Sequence, residues 1–202
     1  MLLWLNGPFG GGKTQTAHEL HRRLPGSVVC DPEEVGFGLH RMTPPPLRAD
    51  FQDLRSWRQG VHEVLDLVLR RHGTGPVIAP MTLVDPGYFA EIVGRLRDDG
   101  HEVHHFALLA GRETVLRRLA ERGLGRGLKR ESFAVARLDH CLERLSRPEF
   151  AHHLHTDRMT VPQVADAVAA HAGLRPLPDT YGPLRHRLHR AVVGLRHIRR
   201  LG

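Results

Sequence analysis

GPFGGGKT, residues 7–14, decides the fold of this chain. The octapeptide fits the pattern G-x-x-x-x-G-K-[ST], in which glycines let successive backbone N–H groups turn inward around an anion. An apolar run at 2–6 precedes it, and Ala17, Leu20 and Leu24 follow it at helical spacing. A strand, a glycine-rich turn and a helix in this order predict a phosphate-binding loop.

Each part of the loop has an expected role. The helix that begins near Lys13 adds its positive dipole end to the backbone N–H groups. Lys13 is expected to reach the outer phosphates of a nucleotide, and the Thr14 hydroxyl is expected to hold Mg²⁺. Only Lys13 and Lys129 are lysines among the 29 cationic residues, which indicates a chemical requirement at position 13. The predicted nucleotide-binding residues are Gly7, Pro8, Phe9, Gly10, Gly11, Gly12, Lys13, Thr14 and Gln15.

Strands and helices alternate along the rest of the chain. The predicted strands are 2–6, 27–31, 76–84, 102–110 and 152–157, and the predicted helices are 13–24, 57–73, 86–100, 113–123, 132–146 and 161–173. Residues 32–56 contain three consecutive prolines and are expected to be irregular. The alternation predicts an α/β fold of three layers with a doubly wound, parallel, five-stranded sheet, whose ligands bind at the carboxyl ends of the strands.

Length and charge predict one domain with an appendage. The chain has 202 residues, and we assign 1–178 to the nucleotide-binding domain and 179–202 to a C-terminal helix. Six arginines and no acidic residue lie in 180–202, so most of the formal charge of +7 belongs to this tail. A nearly neutral body argues against a nucleic-acid partner.

The sequence also predicts where in the cell the protein lies. No run of about 18 apolar residues exists, and the first residues lack a basic leader, so we expect neither a membrane span nor a signal peptide. Cys30 and Cys141 have no motif spacing and are expected to be reduced thiols. These features predict a cytoplasmic protein.

Four stretches resemble the tunicamycin-resistance proteins of the TmrB type: WLNGPFGGGKTQTAHELHRRL, DPEEVGFGL, PMTLVDPGYFAEIVGRLRDDGHEVHHFAL and the HTD near residue 155. The resemblance covers nearly the whole chain. It implies an ATP-binding P-loop protein of the small-molecule kinase type that protects a bacterium against a lipid-tailed nucleoside antibiotic. It also implies membrane association through the C-terminal helix and, from related kinases, contact of residues 174–179 with adenine.

Asp31 ends the second predicted strand and is a candidate catalytic base. A carboxylate there can deprotonate an acceptor hydroxyl or hold Mg²⁺ through water. Alternatively, Asp31 caps the turn that follows, since Asp-Pro is common in turns. The third predicted strand ends without an acidic residue, at Ala79-Pro80-Met81-Thr82. This favours a kinase, in which Thr14 and water coordinate most of the Mg²⁺, over a motor or switch GTPase.

Arginines recur at every fourth position across a predicted helix end and the loop after it, which is typical of a lid over ATP. Arg118 and Arg122 are the candidate catalytic contacts to phosphate, and Arg126 and Arg130 follow them. A solvated helix face is the alternative.

Six large apolar residues are candidates either for a substrate pocket or for ordinary core: Phe37, Met42, Phe51, Trp57, Met81 and Tyr88. Of the paired histidines, only His153 and His155 share a strand face, which does not predict a zinc site.

Beyond residue 180, apolar residues recur every three or four positions between arginines and histidines. This pattern predicts a basic amphipathic helix on the anionic inner face of the cell membrane. Packing on the protein's own body and an oligomer contact are the alternatives.

For the whole chain, three hypotheses remain: phosphorylation of tunicamycin or a similar antibiotic, ATP-gated sequestration of the same drug without chemistry, and a metabolic kinase for a nucleoside or small acid.

Overall fold

A parallel sheet in the order β2-β3-β1-β4-β5 forms the centre of the molecule. The computed structural model describes residues 1–122, 128–182, 184–186, 188 and 191–193, with the backbone alone at 122 and 128–134. The five parallel strands confirm the predicted fold class. Strands β1 to β5 cover Leu2–Asn6, Val28–Val29, Val77–Pro80, Val103–Leu109 and His153–His155.

Helices cover both faces of the sheet, as an all-parallel sheet requires. Helices α1 to α8 cover Lys13–Arg23, Glu33–Met42, Arg55–Arg71, Pro86–Phe89, Arg95–Asp98, Arg112–Arg122, Leu128–Leu145 and Val161–His171. A single π-helical segment, Ala90–Gly94, joins α4 to α5.

Strand β1 contributes to two hydrophobic cores because its side chains alternate between the faces of the sheet. Leu2 and Trp4 join the core under α3, where Trp57 is also fully buried. Leu3 and Leu5 join the core under α1 and α8. These four apolar side chains of β1 are 0% exposed, and burial of each stabilises the fold by about 1.5–3 kcal/mol. This central strand therefore holds the start of the glycine-rich loop in a rigid frame.

The prediction of an irregular segment at 32–56 is wrong in part, because α2 occupies Glu33–Met42. The Asp31 carboxylate accepts a hydrogen bond from the Glu33 backbone N–H at 3.0 Å, and acidic residues fill the first turn, which favours a helix. Two 3₁₀ turns at Pro45–Leu47 and Phe51–Asp53 follow. The prolines therefore break the helix only after Thr43.

Other predicted boundaries also shift. Strands β2 and β3 are shorter than expected, and β3 ends at Pro80, where the chain leaves the sheet. Helix α7 begins at Leu128, within the segment predicted as a polar loop at 126–130. Residues 123–127 lie outside the described part of the chain.

The chain after α8 returns to the C-terminal end of α1. The Leu177 N–H donates to the Arg23 carbonyl at 2.7 Å, and Arg22 donates to Asp179 at 2.7 Å. The opposite end of α1 lies about 16 Å away, at the glycine-rich loop. Residues 174–179 therefore lie beside the end of α1 that is remote from the loop, and their expected contact with adenine stays a prediction. No helix within the described residues has the length and apolar character to cross a membrane.

Candidate nucleotide and acceptor site

The glycine-rich loop connects β1 to α1 and has the geometry of an anion-binding turn. Gly10 and Gly12 have φ angles of 79° and 96°, in the left-handed region where a side chain is strained. Gly12 caps α1 without a side-chain hydrogen bond, so the first N–H groups of the helix point into the loop. A Cβ at Gly11 would lie 2.9 Å from the Pro8 carbonyl oxygen. Only glycines fit this cradle, and a phosphate group matches its row of N–H donors.

The Lys13 side chain folds back over the loop. Its Nζ donates to the Gly7 carbonyl at 2.9 Å and to the Pro8 carbonyl at 3.0 Å, and the side chain is buried. The ammonium also lies 5.6 Å from the centre of the Phe9 ring, within cation–π range. Phe9 itself packs against the hydrophobic cluster between α6 and α7. The predicted phosphate-binding lysine is therefore already placed inside the loop.

Asn6 holds the entrance of the loop, a role that the sequence analysis missed. Its side chain is fully buried. Its Oδ1 accepts hydrogen bonds from the Gly7 N–H at 2.9 Å and the Leu83 N–H at 3.0 Å, and its Nδ2 donates to the Leu83 carbonyl at 2.8 Å. Asn6 thereby ties the first loop residue to the segment after β3. A polar residue at the end of a wholly apolar strand is the sequence signal for this contact.

A small, solvent-open cleft lies between the loop and the start of α2. Its lining brings together residues predicted separately from the sequence: Phe9, Gly10, Gly12, Lys13, Thr14, Asp31, Glu33 and Pro80. Asp31 lines this cleft and also accepts a hydrogen bond from the Glu33 N–H, in the turn that leads into α2. The two interpretations of Asp31 are therefore compatible in one structure. Gln15 lies in the first turn of α1.

The candidate arginines are not brought to this cleft in the part of the chain that the structure describes. Arg118 donates to the Thr156 hydroxyl at 3.2 Å and to the Thr156 carbonyl at 2.7 Å, beyond the end of β5. Burial lowers the pKa of its guanidinium, and the nearby Asp157 opposes that shift. The side chains of Arg122, Arg126 and Arg130 lie outside the described residues, so their lid role stays a prediction.

The six large apolar candidates divide between core and surface. Trp57 and Met81 are core residues, and the Trp57 indole N–H donates to the Pro32 carbonyl at 3.0 Å. Phe51 packs against the same core and makes an edge contact with Phe37. Of the two remaining candidates, Met42 is 84% exposed, and the Tyr88 hydroxyl donates to Asp53. The core interpretation is therefore right for Trp57 and Met81.

The fold and the loop geometry define the class: a P-loop nucleotide-binding protein of the kinase type. The sequence model of the AAA domain family matches residues 2–148. The solved structure of the tunicamycin resistance protein of Deinococcus radiodurans is 35% identical, with a TM-score of 0.73, and the match covers 88% of this chain and 99% of that chain. The chain belongs to the tunicamycin-resistance protein family, within the P-loop kinases, as the resemblance in the sequence implied.

More distant structures share the fold alone. A sugar kinase from Janibacter is 17% identical with a TM-score of 0.61, and the match covers 87% of this chain and 95% of that chain. The APS kinase of Mycobacterium tuberculosis is 16% identical with a TM-score of 0.58, and the match covers 85% of this chain and 96% of that chain. No curated protein sequence matches the chain significantly.

Proposed function

We propose that the chain is an ATP-dependent phosphotransferase that phosphorylates a hydroxyl of tunicamycin. The observation that carries the proposal is that the Asp31 carboxylate lines the same cleft as Lys13 and Thr14. Phosphoryl transfer needs a group that orients the acceptor hydroxyl opposite the phosphate-binding loop. The similarity to a tunicamycin resistance protein supports tunicamycin as the acceptor.

The loop residues fit the phosphates of ATP, because the glycine cradle and the first turn of α1 present backbone N–H donors. Thr14 would hold Mg²⁺ directly, and Asp31 would hold it through water; when bound, the ion neutralises charge on the phosphates. Lys13 would stabilise the charge that develops on the transferred group.

In the transfer step, Asp31 accepts the proton of the drug hydroxyl. The hydroxyl oxygen forms a bond to the γ-phosphorus, and the bond from the γ-phosphorus to the bridging oxygen of ADP breaks. Asp31 is suited to this step because it lines the cleft and its Oδ1 is held by the Glu33 N–H.

A second candidate function is ATP-gated sequestration of tunicamycin without chemistry. The capping hydrogen bond of Asp31 favours it, because that bond gives the carboxylate a structural role that needs no catalysis. Mass spectrometry of tunicamycin after incubation with the protein, ATP and Mg²⁺ separates the two. A drug that gains one phosphate with the wild type, and none with Asp31→Asn, supports phosphotransfer. An unmodified drug that stays tightly bound supports sequestration and overturns the first proposal.

We also propose that residues 180–202 lie on an anionic membrane surface at the inner face of the cell membrane. In the described part of this tail, Leu184 is 79%, Leu188 67% and Val192 38% exposed, at positions four apart that share a helix face. Val193 is buried, which favours partial packing on the body instead. Deletion of 180–202 should abolish cosedimentation with phosphatidylglycerol vesicles; unchanged cosedimentation would overturn this proposal.

A further inference from the structure

We infer that Thr82 is a positioning residue that holds the Gly7 carbonyl of the phosphate loop while nucleotide is bound. The inference rests on the proposed nucleotide binding. Thr82 follows β3, and its hydroxyl donates to the Gly7 carbonyl at 2.8 Å. The side chain is only 5% exposed, so water does not replace this hydrogen bond. The bond joins the first residue of the loop to the neighbouring strand.

Two donors meet at the same carbonyl. The Lys13 ammonium also donates to the Gly7 oxygen, at 2.9 Å, and uses a further N–H on the Pro8 carbonyl at 3.0 Å. A carbonyl oxygen has two lone pairs, so Thr82 and Lys13 together saturate it. An ammonium group has three N–H donors, and two of these serve the loop. When Lys13 turns its donors toward a phosphate, it has to leave a loop carbonyl.

Thr82 then becomes the donor that keeps the buried Gly7 carbonyl paired. Its position is fixed on both sides: the Thr82 carbonyl accepts from Gln52 Nε2 at 3.0 Å, and Asn6 holds the backbone of Leu83. A hydroxyl is needed at this place because a carboxylate has no proton to donate to a carbonyl. This accounts for the neutral residue after β3, where the sequence analysis found no acidic metal ligand.

The Thr82→Val variant keeps the shape of the side chain and removes the donor. Without nucleotide, Lys13 still serves the Gly7 carbonyl, so the melting temperature should change little. With nucleotide, the carbonyl loses its remaining donor, and a buried unpaired acceptor is costly. We expect nucleotide affinity to fall about tenfold in Thr82→Val, and to return close to the wild-type value in Thr82→Ser, which restores the hydroxyl.

The test compares melting temperatures with and without the magnesium complex of a non-hydrolysable ATP analogue. Thr43→Val is the matched control, because the Thr43 hydroxyl also donates to a carbonyl, that of Leu39, at 2.8 Å but at the end of α2. Selective loss of the nucleotide-induced shift in Thr82→Val supports the inference. A shift like that of the wild type, or an equal loss of stability in both states, overturns it.

Three further outcomes also decide the test. If Thr82→Val does not fold, Thr82→Ala removes the donor without placing a methyl group against the carbonyl and is judged by the same criteria. If the wild type shows no shift with the analogue, the proposed nucleotide binding fails, and the inference fails with it. If the wild type and Thr82→Val show the same shift, the inference alone fails.

Discussion

The side-chain amide of Asn6 donates a hydrogen bond to Nε2 of His105, at 3.3 Å, in the interior of the sheet. The donor is clear because the other ring nitrogen, Nδ1, lies 3.2 Å from the Ala151 carbonyl, which only accepts. Nδ1 therefore carries the proton, and the ring is neutral. Burial lowers the pKa of His105 to about 4. Asn6 in turn binds the Gly7 N–H, so a buried neutral histidine supports the entrance of the phosphate loop.

His105 makes stability dependent on pH. The pKa of His105 is about 4 in the folded protein, against 6.5 for an unperturbed histidine. The unfolded chain therefore binds more protons than the folded protein between these two pH values. The free energy of unfolding should therefore fall by roughly 3 kcal/mol as the pH drops from about 6.5 to about 4, with little contribution from this group above that window. Urea titrations at a series of pH values measure this loss.

The control for that series is His105→Phe. Phenylalanine fills the same space beside Phe89 and Phe150 but has no group that titrates. The variant should be less stable at pH 7, because the Asn6 amide loses one of its two acceptors, and its stability should depend less steeply on pH. Parallel pH profiles for the two proteins would show that His105 does not cause the acid sensitivity.

Lys13→Met should remove nucleotide turnover while preserving much of the side chain's length; the ammonium and its cation–π contact with Phe9 are lost. Loss of a preorganised charge at the transferred phosphoryl group typically lowers the rate by 10²-fold or more, so we expect a decrease of at least about 100-fold in kcat. ADP release with saturating tunicamycin is the measurement. Arg117→Ala, at an exposed position on α6, is the control for loss of one positive charge. Full activity of Lys13→Met would refute the assignment of the loop.

Asp31→Asn separates catalysis from capping. The asparagine Oδ1 still accepts from the Glu33 N–H, so the turn that leads into α2 and the folded structure should persist. A general base contributes about 10²–10⁴-fold, so kcat should fall by that amount while ATP affinity changes little. Asp31→Ala loses the cap as well and should unfold about 1 kcal/mol more easily. Near-normal turnover by Asp31→Asn would leave Asp31 with the capping role alone.

Arg118→Ala should destabilise the fold more than it affects nucleotide affinity. The variant loses two hydrogen bonds to Thr156, which itself donates to the Leu109 carbonyl at 3.1 Å and so joins the ends of β4 and β5. We expect a decrease of about 1–2 kcal/mol in the free energy of unfolding, measured in urea. Arg117→Ala, one position earlier on the same helix, should be close to neutral. A stability equal to that of the wild type, together with reduced turnover, would return Arg118 to the phosphate-contact role.

Local signals made much of the fold predictable. The octapeptide at 7–14, the apolar run before it and the helical spacing after it predicted β1, the loop and α1 with correct positions, because each depends on neighbouring residues. The same signals did not predict α2. The three consecutive prolines predicted an irregular segment, but they lie beyond the end of α2. The hydrogen bond at the start of α2 is accepted by Asp31 itself.

The amino-acid sequence by itself determined the fold class and the position of the phosphate loop, because periodicity and glycine spacing constrain the backbone locally. The family was indicated by the resemblance of four stretches of sequence. Only the tertiary structure decided which distant polar groups meet at that loop. Asn6, Thr82 and His105 converge there because β1, β3 and β4 lie side by side in the sheet. It also placed Arg118 on Thr156. Such pairings depend on strand order and burial, since a buried donor is stable only beside an acceptor that folding brings to it.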